Sequence, residues 1–131
     1  MMGYYEITVG GKQYKLRVRM RDHAELNKAF GGSFLQALTD EKSMSMEAWE
    51  KLGDLLHVAL RAYEIDNGKF TRDQVNDLID ACINEGWAMD DAVDCIMKIA
   101  AVSGFFPKRV AEDIMKSNLR DMEDPEETAQ T

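Results

Sequence analysis

The chain is poor in the residues that most often carry chemistry or covalent staples. It has two cysteines, Cys82 and Cys95, and two histidines, His23 and His57, among 131 residues. Two cysteines do not make a disulfide framework. In a reducing cytosol both read as free thiols buried as small apolar groups. Their positions, together with those of the histidines, match no zinc-ligand spacing. There is no Gly-x-Ser-x-Gly elbow, no glycine loop ending in Lys-Ser/Thr to cradle phosphate, and no His-Glu-x-x-His. Carboxylate pairs such as Asp90-Asp91 fall at a predicted helix start, where the helix dipole welcomes acids without any catalytic purpose. No enzyme activity, cofactor or metal is therefore expected.

Long apolar runs are also missing. No stretch of about 18 apolar residues occurs, so no membrane span is expected. Met1 to Val9 lacks the cationic start and apolar stretch of a secretory signal, and a cytosolic location is expected. One calcium-like segment, Tyr63 to Thr71, fails on ligand arithmetic. With Gly68 as the sixth position, Tyr63, Ile65 and Gln74 fall where oxygen ligands and a bidentate Glu are needed.

What is present is a globular balance of 45% hydrophobic and 31% charged residues, enough for one domain with a real core. The net charge is −8 and uneven. Residues 1–21 carry Lys12, Lys15, Arg17, Arg19 and Arg21 against Glu6, a net +4, which leaves −12 on the remainder. An acidic body argues against a nucleic-acid groove, which needs a dense cationic surface.

The pattern begins with a period of two. Tyr5, Ile7 and Val9 alternate with Glu6 and Thr8, and Gly10-Gly11 supply the positive φ angles of a tight hairpin turn. A two-residue turn there sets Ile7 opposite Tyr14 and Tyr5 opposite Leu16. The second strand is expected to continue through Val18 and Met20. Its other face would carry a cation row of Lys15, Arg17, Arg19 and Arg21, a candidate for self-association with acidic surface on a second copy. An isolated hairpin is marginal and has open edges, so it must lie on the helices or pair with another strand or chain.

From Asp22 the period becomes helical. Asp22 and Glu25 suggest a capping box, Gly31-Gly32 a stop, and Ser33 a cap for a short turn through Leu38. Residues 39–45 read as a loop. Ser45 is expected to cap a long helix whose stripe runs from Met46 and Trp49 to Tyr63, ended by Asn67-Gly68. Thr71 and Gln74 form the clearest capping box, with Phe70 placed to staple onto Val75. Val75, Leu78, Ile79, Cys82 and Ile83 form that helix's inner face. A fifth helix buries Met89, Ala92, Val93, Ile96, Ile99, Ala100 and Val102. Pro107 suits the first turn of a final helix holding Val110, Ile114, Met115 and Leu119. The expected fold is α+β: one domain over 1–120, with a hairpin at 4–20 and a compact bundle of five or six helices over 22–119. Asp121 to Thr131, with five acids and no base, reads as a solvated tail.

Trp87, Met89, Phe105 and Phe106 fall at helix junctions. Aromatics there either plug the core or protrude as interface anchors. They are the candidate partner-binding residues, beside nine methionines suited to irregular partners.

The order of these features resembles a known family. The hairpin Tyr4-Tyr5-Glu6-Ile7-Thr8-Val9-Gly10-Gly11-Lys12-Gln13-Tyr14-Lys15-Leu16-Arg17 leads into Ala24-Glu25-Leu26 and the break Phe30-Gly31-Gly32-Ser33. Helices carrying Leu55-Leu56-His57-Val58-Ala59-Leu60 and Val75-Asn76-Asp77-Leu78-Ile79-Asp80 follow. Over residues 4–106 this is similar to the tail assembly chaperones of siphovirus-type phages and prophages of Gram-positive bacteria. The resemblance implies a non-enzymatic protein of the host cytoplasm. It would bind the long helical tape measure protein, keep it soluble, help recruit tail tube protein, and be absent from the mature virion. In many relatives a frameshift near the gene's end makes a longer fusion, which the acidic tail would suit. Two other readings stand beside it: a structural head–tail joining protein, and a cytosolic regulator that binds nucleic acid through the basic strand.

Overall fold

The computed structural model describes residues 3–63 and 70–117. The acidic tail, Leu119, Asn67-Gly68 and most of the calcium-like segment lie outside those residues. Among the described residues, a two-stranded antiparallel hairpin, β1 (Tyr5–Val9) and β2 (Lys12–Leu16), is followed by seven helices. The helices are α1 (His23–Ala29), α2 (Phe34–Leu38), α3 (Glu41–Met46), α4 (Ala48–Ala59), α5 (Arg72–Asn84), α6 (Met89–Val102) and α7 (Lys108–Lys116). Single 3-10 turns at Met20–Asp22 and Leu60–Ala62 adjoin α1 and α4. The fold is α+β.

The hairpin register is the one the alternation requires, with Ile7 opposite Tyr14 and Tyr5 opposite Leu16. Gly10 and Gly11 make the turn at φ 60° and 80°, a region that costs a β-carbon dearly. Ile7, Val9 and Leu16 are buried on the inner face, which lies across α5 and α6. The Gly10 amide also donates to the Glu85 carboxylate at the end of α5, fastening the turn to the helical layer.

α4 and α6 pack together at the centre, with α5 against α4 and α7 against α6. Leu52, Leu55, Leu56 and Ala59 of α4 and Ile96, Ile99 and Ala100 of α6 are fully enclosed. Each large aliphatic side chain removed from water in this way contributes about 1.5–3 kcal/mol.

Three local expectations change. Residues 41–46 form α3 rather than a loop, because Asp40 accepts the Ser43 amide at 3.1 Å and Met44 is buried beneath the turn. Among the described residues that gives seven helices where five or six were expected. Ser45 accordingly lies inside α3 and caps nothing; the chain bends at Glu47 before α4 begins, and Met46 is left 72% exposed. Asp22 does not form a capping box with Glu25, since both carboxylates are taken by arginines. The Thr71–Gln74 box forms in full, and Ser33 caps α2 through the Gln36 amide.

Candidate functional site: surfaces open to a partner

α5 and α6 end in the same way. After α5, the Gly86 amide donates to the Ile83 carbonyl and the Trp87 amide to the Cys82 carbonyl, both at 3.0 Å. After α6, the Phe105 amide reaches the Ala100 carbonyl at 3.2 Å. Gly86 and Gly104 sit at φ 102° and 84°. This is the Schellman turn, in which the residue after the glycine folds back over the helix's last turn. Trp87 and Phe105 both occupy that position, and both pack against the core. Phe105 also stacks on His23, with ring centroids 4.7 Å apart, and meets Phe34 edge-on at 4.8 Å.

The four candidate partner-binding residues are therefore not one patch. Trp87 and Met89 flank the start of α6, and Phe105 and Phe106 its end. A 14-residue helix separates the pairs by about 20 Å. Between them no residue from Asp90 to Ser103 is exposed. Of the four, Met89 alone is open, at 46%, correcting its expected place inside. Asp90 and Asp91 occupy the first turn of α6, where the Asp91 carboxylate accepts the Ala88 amide at 2.8 Å.

The cation row is broken up. β2 stops at Leu16 because β1 begins at Tyr5 and offers no further partner. Beyond it the Arg17 amide donates to the Ala59 carbonyl at 3.2 Å, and the Val18 amide to the Ser103 hydroxyl at 2.9 Å. The chain thus leaves the hairpin to dock on the ends of α4 and α6. Met20 is 81% exposed on the following 3-10 turn, instead of extending the inner face. Lys15 lies over the Tyr4 ring, Arg17 donates to the Gly3 carbonyl, and Arg19 pairs with Asp22 at 2.8 Å. Arg21 stands exposed on the 3-10 turn. Arg17 and Phe106 line one groove of about 380 Å³ with Lys108, Ala101 and Ala111.

Arg61 joins the 3-10 turn after α4 to α1. It grips Glu25 through two bonds of 2.7 and 2.6 Å and reaches the buried Asp22 at 3.5 Å. Hydrogen bonding from Arg61, helped by its charge, holds the Glu25 carboxyl below its ordinary 4.5 against the opposing effect of burial. Unfolded Glu25 thus takes up a proton at higher pH than folded Glu25. Its contribution to stability is whole above pH 4.5 and is lost as pH falls through the lower folded value. Urea unfolding across that range should show Glu25→Gln losing stability less steeply than the parent. Parallel curves would count against the pairing.

The two thiols are sealed. Burial, helped by the Glu85 charge, pushes the Cys82 thiol up to about 11, and burial raises Cys95 as well. A thiol-reactive dye at mildly alkaline pH should leave both unmodified in the folded protein and label both in urea. Rapid labelling of the native protein would contradict their placement. Among the described residues no three His, Cys, Asp or Glu side chains converge to hold a metal. No described helix is long and apolar enough to cross a membrane.

The site that sequence reasoning missed lies between α4 and α5. Trp49 and Glu50 of α4 face Arg72, Asn76, Ile79, Asp80 and Ile83 of α5 across a shallow groove. Ile83, expected inside, is 44% exposed there. The two helices come close at Gly53, where an added β-carbon would lie 3.3 Å from the Ile79 Cδ1. A glycine in the middle of an amphipathic helix was the available signal. Comparison with known proteins found no family model, curated protein or solved structure that matches the chain.

Proposed function

We propose that the chain is a tail assembly chaperone of a long-tailed bacterial virus. It acts in the host cytoplasm as a non-enzymatic binder that keeps the tape measure protein soluble and helps recruit tail tube subunits, and it leaves before the virion matures. The observation that carries the reading is apolar surface left uncovered on the helical layer. Met46, Ile83 and Met89 are 72%, 44% and 46% exposed, and Trp49 is half-buried beside them in sequence and groove. Exposed aliphatic and thioether side chains suit a client that presents helical apolar stripes. The order of elements, from hairpin through the Phe30-Gly31-Gly32-Ser33 break to the helices, adds support.

Co-expression with the tape measure protein of the same virus tests the reading. The tape measure protein should move from the pellet to the soluble fraction and co-purify with the chain. If it stays in the pellet at equimolar expression, the reading fails. Self-association through Lys15, Arg17, Arg19 and Arg21 belongs to the same proposal, with the four acting as separate cations rather than as one strand row. Its test must spare Arg19, whose reversal would set a second carboxylate against buried Asp22. Arg17→Glu with Arg21→Glu should weaken concentration-dependent association, and unchanged sedimentation would remove these cations from the account.

A further inference from the structure

We infer that the α4–α5 groove is a docking slot for one occupant: an amphipathic helix with an aliphatic stripe flanked by Lys or Arg. The inference rests on the client-binding reading for its biological setting, while the groove itself stands on geometry and charge.

The floor is apolar. Ile79 is almost covered, while Ile83, one turn further along α5, is 44% exposed, and Trp49 of α4 is half-buried across from them. The two helices touch at Gly53, whose missing side chain lets Ile79 and the Arg72 side chain approach. One turn away on either helix, Trp49 and Ile83 are less covered than Gly53 and Ile79. The α5 side of the lining spans Arg72 to Ile83, about 16 Å along that helix, while α4 contributes Trp49 and Glu50.

The rim selects the sign of the partner's charge. Glu50 and Asp80 line the groove from opposite helices, and both are exposed. The one cation in the lining, Arg72, is committed to Asp54 and to Asn76. Asp73, one residue past Arg72, adds exposed negative charge, and α5 has no base besides Arg72. An acidic helix would meet like charge on both rims, whereas Lys or Arg flanking an aliphatic stripe would meet Glu50 on one side and Asp80 on the other.

The test uses two synthetic peptides of about sixteen residues, with leucines at helical i, i+3 and i+4 spacing and either Lys or Glu flanks. The receptor is the full chain carrying Trp87→Phe, so that Trp49 alone reports by fluorescence. The Lys-flanked peptide should bind and perturb Trp49, and the Glu-flanked one should not. Ile83→Glu should weaken binding about tenfold or more. Glu50→Lys with Asp80→Lys should reverse the peptide preference by a similar factor, about tenfold. Both variants change exposed side chains, and the reversed preference shows that the second has folded. Equal binding of the two peptides, no binding of either, or dilution-dependent Trp49 fluorescence showing a second copy in the slot would each overturn the inference. Tape measure co-expression separates the two proposals. Solubilisation that survives both variants sinks the groove alone. Groove-dependent peptide binding without solubilisation sinks the chaperone reading alone.

Discussion

Phe34→Ala is expected to cost about 3–5 kcal/mol, the range for removing a fully buried aromatic. Phe34 is entirely enclosed. It meets Phe30 edge-on at 4.8 Å and Phe105 edge-on at 4.8 Å, and Phe105 in turn stacks on His23. One ring therefore ties α2 to the end of α1 and to the turn after α6. Truncation leaves a cavity that three separate segments line, and none can close it without moving a helix end. Since a domain of this size has about 5–15 kcal/mol in hand, the variant should be close to unfolding at physiological temperature. Urea denaturation checks this, with a lower midpoint and unchanged slope. Leu35→Ala is the control. Leu35 follows Phe34 directly but is 43% exposed, so its loss should change stability by no more than about 0.5 kcal/mol. Equal losses at the two positions would contradict the packing described.

Gly53→Leu is expected to destabilise by about 1–3 kcal/mol, and more if α5 detaches. An added β-carbon alone would lie 2.5 Å from the Arg72 Nη2 and 3.3 Å from the Ile79 Cδ1. The first contact is with the end of a flexible side chain, which can swing away at the cost of its pairing with Asp54. The second is with a nearly buried aliphatic group that has nowhere to go. Gly53→Ala should therefore be near neutral, because relieving glycine's entropic penalty inside a helix gains about 0.5–1 kcal/mol against a modest clash. Leucine extends past the Arg72 head into the interface and must push the helices apart. Thermal unfolding of both variants checks the contrast. If leucine is tolerated as well as alanine, α4 and α5 are not in close approach at Gly53.

The hairpin was readable because two independent signals agreed. Its alternation and the Gly10-Gly11 turn each specified the same register, and the observed strand pairing follows it residue for residue. The Thr71–Gln74 start of α5 was readable for the same reason, as both halves of the capping box are local. The extension of the second strand to Met20 failed because alternation persists in the sequence beyond the point where β1 can supply hydrogen bonds. α3 was invisible because six residues, mostly polar, show no period; a single cap and buried Met44 hold it. The stripe on α5 correctly marked Val75, Leu78, Ile79 and Cys82. It could not show that Ile83 lies past the reach of α4's cover, since that depends on where α4 begins, at Ala48, far back in the sequence. The junction aromatics were legible as positions but not as roles. A glycine followed by Trp or Phe at a helix end signals a Schellman turn, and that turn sends Trp87 and Phe105 toward the core. Arg61 gave no local signal at all, because its partners Asp22 and Glu25 are distant in sequence.

The most direct test of the chaperone account follows the chain through particle assembly. Affinity capture of the tagged chain from host cells during tail assembly, compared with mass spectrometry of purified particles, distinguishes a transient binder from a virion component. The account predicts recovery of the tape measure protein with the chain from the lysate, and no chain in the particles. Stoichiometric chain in the particles, or capture without the tape measure protein, would contradict it.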